Sequence, residues 1–392
     1  MQSIGIIAEF NPFHSGHKHL IDAAKAQGNA VICVMSGNFV QRGDTAITDK
    51  FTRAEMAINC GADLVVELPT PWAMSTAQNF AFGAVSILKA LGITQKIFFG
   101  SECADTQLLN KTADILSSSE FNEKIKERIN SSGSTFAKVR SEIIKKFYPE
   151  IQCVLDNPND TLAVEYILSA KRLGFETEFD CIQRIGAAHD ALVADTTASA
   201  SLIRKHIKNG DFSYIEKFMP PQATELLKKA PTSDIKRIEA AILGKLRMDF
   251  SKDGVPSLPD LSEGIENRLS DAISNAVSYE ELLSLIKTKR YPLARVRRLV
   301  LSAFLNIDDT FFGKEPPYIR VLALGEKGEE LLKEASKKAT LPIITRVSHL
   351  NLSDEFTSKV WSLENLASDV FCLSLNPPQK CGSEYYKKII KL

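Results

Sequence analysis

The strongest constraint on the fold of this chain lies in its first hundred residues. Short apolar runs at residues 3–10, 30–36, 62–68 and 96–100 alternate with segments at 17–27, 48–60 and 76–90 that carry apolar residues at helical spacing. Runs of that length without polar alternation read as strands buried on both faces. Gly28, Gly61 and Gly92 stand just past the three helical segments, where a left-handed residue ends a helix. The alternation predicts an α/β fold, a Rossmann-like doubly wound parallel sheet. Residues 105–148 read as charged helix, 160–173 as another helix and 176–185 as a further strand, with a new helix near Ser199. Beyond about residue 209 the strand signals fade into helices interrupted by Pro220-Pro221, by prolines between 256 and 259, and by Pro316-Pro317. The expected division is a catalytic α/β domain over 1–210 and a mainly helical domain over 211–392. Within the second, short runs at 318–324 and 369–375 resemble strands.

Composition narrows the function. Lys and Arg number 48 and Asp and Glu 48, so the whole chain has no net attraction for a polyanion, and any nucleic-acid contact must come from a local patch. The start lacks the basic region of a signal peptide, and no apolar run approaches the roughly 20 residues of a membrane helix. A cytoplasmic protein without membrane contact is expected. The seven cysteines form no Cys-x-x-Cys pair, which suits reduced thiols better than a disulfide frame or a zinc knuckle.

Between the first strand and the first helix lies Glu9-Phe10-Asn11-Pro12-Phe13-His14-Ser15-Gly16-His17. Ligands of open α/β sheets bind at the carboxyl ends of strands, which is where this turn falls. Gly16 admits close backbone approach, and the N-terminus of the following helix offers free N–H groups to an anion. Two imidazoles flank that glycine. A zinc site is disfavoured, since no cysteine or carboxylate stands at ligand spacing from the histidines, and no metal site of the protein's own is expected.

His-x-Gly-His in this position resembles the signature of the nucleotidylyltransferase superfamily. The resemblance implies that His14 and His17 donate hydrogen bonds to phosphate oxygens as ATP is attacked at its α-phosphorus. A second signature of that superfamily is similar to Ala198-Ser199-Ala200-Ser201-Leu202-Ile203-Arg204, with Ser199 and Ser201 as donors at a helix start and Arg204 one turn in.

The similarity extends to one family. Met35-Ser36-Gly37-Asn38-Phe39-Val40-Gln41-Arg42-Gly43-Asp44, Ala62-Asp63-Leu64-Val65-Val66-Glu67-Leu68-Pro69, Phe99-Gly100-Ser101-Glu102, Asn157-Pro158-Asn159-Asp160 and Arg184-Ile185-Gly186-Ala187-Ala188-His189-Asp190 resemble the bacterial tRNA(Met) cytidine acetate ligases. Membership implies that ATP and acetate form acetyl-adenylate, and that the acetyl group passes to N4 of the wobble cytidine of elongator tRNA(Met). It further implies an ATP-binding set of Ile7, Ala8, Glu9, Phe10, Asn11, Pro12, Phe13, His14, Ser15, Gly16, His17 and Leu20, with Gly100, Asn159 and Arg184, and ATP accompanied by Mg2+. No stable protein partner is implied. Ala188, Ala198 and Ala200 depart from the family pattern. Gln41, Arg42, Asp44 and Lys50 form a polar stretch suited to an acetate pocket or to a solvated loop. The competing reading is a small-molecule adenylyltransferase of the pantetheine-phosphate or nicotinate-mononucleotide type, which shares the first signature but is generally much shorter. A non-catalytic RNA-binding protein is the third.

For RNA, residues 287–298 hold six basic residues and no acidic one. Helical spacing of Leu293, Val296, Leu299 and Val300 leaves Arg295 and Arg298 on an open face, with Arg297 beside them and Tyr291 available to stack on a base.

Overall fold

The computed structural model describes residues 3–132, 136–184, 199–250, 258–261 and 264–392. Five parallel strands build the expected sheet: β1 (Ser3–Ala8), β2 (Ala30–Ser36), β3 (Leu64–Leu68), β4 (Thr94–Ser101) and β5 (Glu178–Gln183). Because successive residues of a strand face opposite sides, β2 sends Ile32 and Val34 into one core and Val31, Cys33 and Met35 into another. Helices cover both faces. On one side lie α1 (Ser15–Ala26), α2 (Lys50–Asn59) and α5 (Ala200–Lys208), contributing Ile21, Met56 and Ile203; on the other lie α3 (Ala77–Leu91) and α4 (Pro158–Leu173), contributing Val85 and Ile167. Gly28, Gly61 and Gly92 adopt φ of 79°, 110° and 67° at the ends of α1, α2 and α3, the positions their spacing indicated.

The strand order places β1 between β2 and β4, with β3 beyond β2 and β5 beyond β4. Chain direction across the sheet reverses at β1, which opens a crevice at the carboxyl ends of β1 and β4. The turn after β1 and the Gly100–Glu102 stretch border that crevice.

The strand expected in the second half joins the main sheet. Residues of the 318–324 run form β6 (Ile319–Leu324), every one of them buried, which pairs antiparallel with β3 inside the main sheet. Two short strands, β7 (Ile343–Ile344) and β8 (Ile390–Lys391), pair parallel with β6. The 369–375 run is not a strand. It lies almost wholly in a long helix, Glu355–Ser374, whose buried Val360, Ala367 and Phe371 recur at helical spacing. A short apolar run alone does not separate a buried strand from a buried helix. Among the described residues no helix is long and apolar enough to cross a membrane.

A buried ionic cluster ties the halves together. Lys50 Nζ lies 2.6 Å from Glu67 Oε1 and 2.5 Å from Glu384 Oε1, with all three side chains nearly sealed from solvent. Beside them Glu364 accepts hydrogen bonds from the backbone and hydroxyl of Thr70. Lys50 therefore does not line an open pocket. Burying such charges yields little net stability over apolar packing, but removing one partner strands the others at several kcal/mol.

Candidate active site

The turn after β1 is held from several directions. Phe10 has φ 45°, in the left-handed region that bulky residues rarely occupy. Its ring and that of Phe13 are fully buried and pack on the His17 imidazole, with centroids 4.9 and 5.5 Å away. Asn11 Oδ1 accepts the Ile47 N–H at 2.8 Å, and Glu9 Oε1 accepts that of Gln41 at 2.8 Å. Buried Arg53 donates to the carbonyls of Glu9, Ser36 and Gly37, joining the ends of β1 and β2. Nothing in the residue pattern alone singled out Arg53 for this role, since its task is to satisfy carbonyls from separate strands.

The two histidines close a reciprocal cap on α1. His14 Nδ1 accepts the Gly16 N–H at 3.1 Å, and His17 Nδ1 accepts the His14 N–H at 3.2 Å. The rings stack with centroids 3.8 Å apart. A ring nitrogen that accepts carries no proton, so each neutral imidazole holds its hydrogen on Nε2. Burial, reinforced by Arg184 and Arg204, pushes His14 down to about 4. His17 falls well below the usual histidine range through burial, then His14 and Arg184. Both remain neutral Nε2–H donors near pH 7. A Cβ on Gly16 would stand 3.0 Å from His14 Cε1, so the glycine makes room for that ring.

The second signature meets the first in space. Ser199 caps α5 by accepting the Leu202 N–H at 3.3 Å, its Oγ lies 3.0 Å from Ser201 Oγ, and Arg204 donates from Nη1 to the Asn11 carbonyl at 2.7 Å. Across the crevice Arg184 lies over Gly100, where a Cβ would meet its Cγ at 3.0 Å. Asn159, in the first turn of α4, donates from Nδ2 to Glu102 Oε1, and Glu102 Oε2 accepts the Asp160 N–H at 3.0 Å. Asn159 sits inside the helix, whose N-cap position is Asn157. Glu102 joins the crevice through this contact, a carboxylate that the Gly100-Ser101-Glu102 sequence contained without indicating its partner.

The other expected ligand residues divide by burial. Ile7, Phe10, Pro12 and Phe13 are core side chains, and Leu20 packs partly buried on the same core as Ile21. From that stretch they offer a ligand backbone only. Ser15 spends both its backbone N–H and its hydroxyl on the Phe218 carbonyl, at 2.8 and 2.9 Å. Residues 185–198, including the Gly186–Asp190 stretch, Ala188 and Ala198, lie outside the described residues.

The basic run is arranged differently from its expected open face. It opens α6 (Leu293–Leu305). Tyr291 is only 4% exposed, with the Arg290 and Arg295 guanidinium groups 5.9 and 5.6 Å from its ring centroid, so its face is not offered to a base. The apolar neighbours that define the α6 stripe draw the tyrosine inward with them. Arg295 donates to the Asp260 carbonyl at 2.8 Å. Arg298 reaches the Asp260 carboxylate at 3.6 Å and the Gln41 carbonyl at 3.4 Å. A Cβ on Gly43, whose φ is 70°, would collide with Arg297 Cβ at 2.7 Å. Arg297 and Arg298 thus back the loop of Gln41, Arg42 and Asp44, and do not project freely. Burial raises the Asp44 carboxyl above its ordinary range against the pull of Lys208, Arg297 and Arg204. No set of three or more metal-ligating side chains occurs among the described residues.

Comparison with known proteins agrees over the full length. The model of the HIGH nucleotidyl transferases matches residues 1–385. The chain is 38% identical to a tRNA(Met) cytidine acetate ligase of Thermoanaerobacter sp. (strain X514), with all of both chains covered. It is 36% identical to one from Clostridium perfringens (strain ATCC 13124), with 98% of each covered. Thermotoga maritima TmcAL bound with alpha-thio ATP matches at a TM-score of 0.90 and 31% identity, and an apo form at 0.91 and 32%, again over all of both chains. A small-molecule adenylyltransferase is not favoured, since these relatives match the chain over its full length. With an α/β sheet whose switch-point crevice joins both nucleotidyl-transferase signatures, the chain belongs to the tRNA(Met) cytidine acetate ligase family.

Proposed function

We propose that the chain performs the two-step reaction of its family, forming acetyl-adenylate from acetate and ATP and then acetylating N4 of the wobble cytidine of elongator tRNA(Met). The observation that carries this reading is the contact of Arg204 with the Asn11 carbonyl, which sets a cation beside two neutral Nε2–H donors. In the first step an acetate oxygen bonds to the α-phosphorus while the bond to the bridging oxygen of pyrophosphate breaks. His14 and His17 donate to the phosphate oxygens as charge shifts onto them, and Arg204 opposes the charge of the departing pyrophosphate. Preplaced donors of this kind are worth roughly 3 to 4 kcal/mol each. In the second step N4 bonds to the acetyl carbonyl carbon, AMP leaves, and N4 gives up one proton. Any Mg2+ would arrive with the triphosphate, which supplies oxygen ligands that the described residues do not group together. The division of labour between residues 1–210 for adenylation and 211–392 for tRNA is part of the same proposal, with cytoplasm as the setting. Acetate-dependent pyrophosphate release from ATP, followed by mass spectrometry of nucleosides from tRNA(Met) treated with labelled acetate, tests it. Both signals are expected; pyrophosphate release indifferent to acetate would refute it.

A further inference from the structure

A cavity of about 310 Å3 among the described residues does not contain the histidine turn. Asp49, Phe51, Lys229, Phe371, Tyr386 and Lys387 line it. A single stretch of chain separates it from the catalytic crevice. The Ile47 N–H bonds Asn11 in the catalytic turn, and the adjoining Thr48 hydroxyl bonds the carbonyl of Pro231 on the cavity wall at 2.9 Å.

The rim has an unusual make-up for a protein surface. Tyr386 is 43% exposed, and Lys380 Nζ stands 4.9 Å from its ring centroid. Within the cavity Lys387 pairs with Asp49 at 2.8 Å. The Asp49 carboxylate also caps α2, so its charge is already balanced. Among the described residues Lys229, which lines the cavity, and Lys380, beside the Tyr386 ring, form no ion pair and are exposed. Phe51 and Phe371 give the cavity an apolar side.

An exposed aromatic ring beside unpaired lysines, over a concave apolar site, is what an unpaired nucleotide of a polyanion requires. Its base stacks on a ring, and its phosphates meet the ammonium groups. We propose that this cavity holds an unpaired nucleotide of the tRNA near the one being acetylated, with the base against Tyr386 and the phosphate backbone along Lys229 and Lys380. The inference rests on the tRNA-acetylating function above. It locates the RNA surface that Tyr291 cannot supply.

The test uses the full chain and a tRNA(Met) transcript. Filter binding across a salt series is read alongside acetate-dependent pyrophosphate release and the thermal midpoint. Tyr386→Ala should weaken tRNA binding roughly tenfold or more, and Tyr386→Phe should retain it, because the ring remains. Lys229→Ala should lower the salt slope by about one unit. All three variants should release pyrophosphate at the parental rate and melt at the parental temperature. Parental tRNA affinity in Tyr386→Ala overturns the inference, as does an equal loss in Tyr386→Phe or a loss of pyrophosphate release, each of which denies a stacking role. If the parent releases pyrophosphate with acetate but acetylates no tRNA, the functional reading itself has failed.

Discussion

At the scale of single residues, the proposed reaction depends on the state of two imidazoles. His14→Ala and His17→Ala should each slow acetyl-adenylate formation by roughly a hundredfold or more, since each removes one preplaced Nε2–H donor. Parental rates of acetate-dependent pyrophosphate release in both would remove these residues from the mechanism. The proton state is separately observable. His14 has its pKa lowered from 6.5 to about 4 in the fold. Between those values the unfolded chain binds a proton that the folded chain refuses, so stability falls as pH drops through that window and is unaffected by this group above it. Nitrogen NMR should find His14 protonated on Nε2 alone until about pH 4; an imidazolium at pH 6 would contradict the cap geometry. Arg297 supplies a second residue-scale outcome. Its position against Gly43, and its charge acting on both Asp44 and Arg204, make Arg297→Ala a variant that slows adenylation and does more than weaken tRNA binding. Single-turnover adenylation without tRNA measures this, and an unchanged rate would leave Arg297 only its packing against the Gly43 loop.

At the scale of elements, the start of α1 is a unit in which cap, glycine and the proposed phosphate donors coincide. The same Nδ1 atoms that satisfy the helix N-terminus set the tautomers of both rings. Gly16→Ala should therefore harm chemistry more than folding. The added methyl lies 3.0 to 3.1 Å from the His14 ring and would press it away from its cap, while alanine is otherwise a better helix residue than glycine. A fall of at least about tenfold in adenylation with little change in thermal midpoint is the expected pair of measurements. Full activity would mean that the ring can shift without cost. Strands and most helices of the first half were legible because each carries its own period, and α1, α2 and α3 each have a glycine just past their end. The 369–375 segment was not, because its apolar run is compatible with either period until the rest of its helix is seen packing.

At the scale of the whole molecule, the sheet does not stop at residue 210. β6 pairs along β3 from Leu64↔Leu324 to Glu67↔Arg320, and its Leu322 and Ala323 belong to the core that also holds Ile21 and Met56. The buried Lys50, Glu67 and Glu384 cluster crosses the same boundary. A fragment of residues 1–210 would expose one edge of β3 and leave Lys50 and Glu67 without Glu384, which predicts an aggregating or partly folded product in place of an active adenylation domain. Circular dichroism and amide NMR of that fragment check this. A cooperative melting transition with acetate-dependent pyrophosphate release would show the first unit to be autonomous.

What the sequence determined by itself is what short-range rules carry. Strand and helix periods, glycine stops and a His-x-Gly-His turn at the first strand's end are local patterns, and they sufficed for the parallel sheet, the crevice and the two signatures that line it. Only the tertiary structure decided what depends on distant partners. Arg204 meets Asn11 across 193 residues of chain, Ser15 is spent on Phe218, Tyr291 turns inward, and β6 enters the sheet antiparallel from the far half. Side chains such as these have no period to betray them. Their roles follow from which buried carbonyls, carboxylates and apolar surfaces need a partner once the chain has closed.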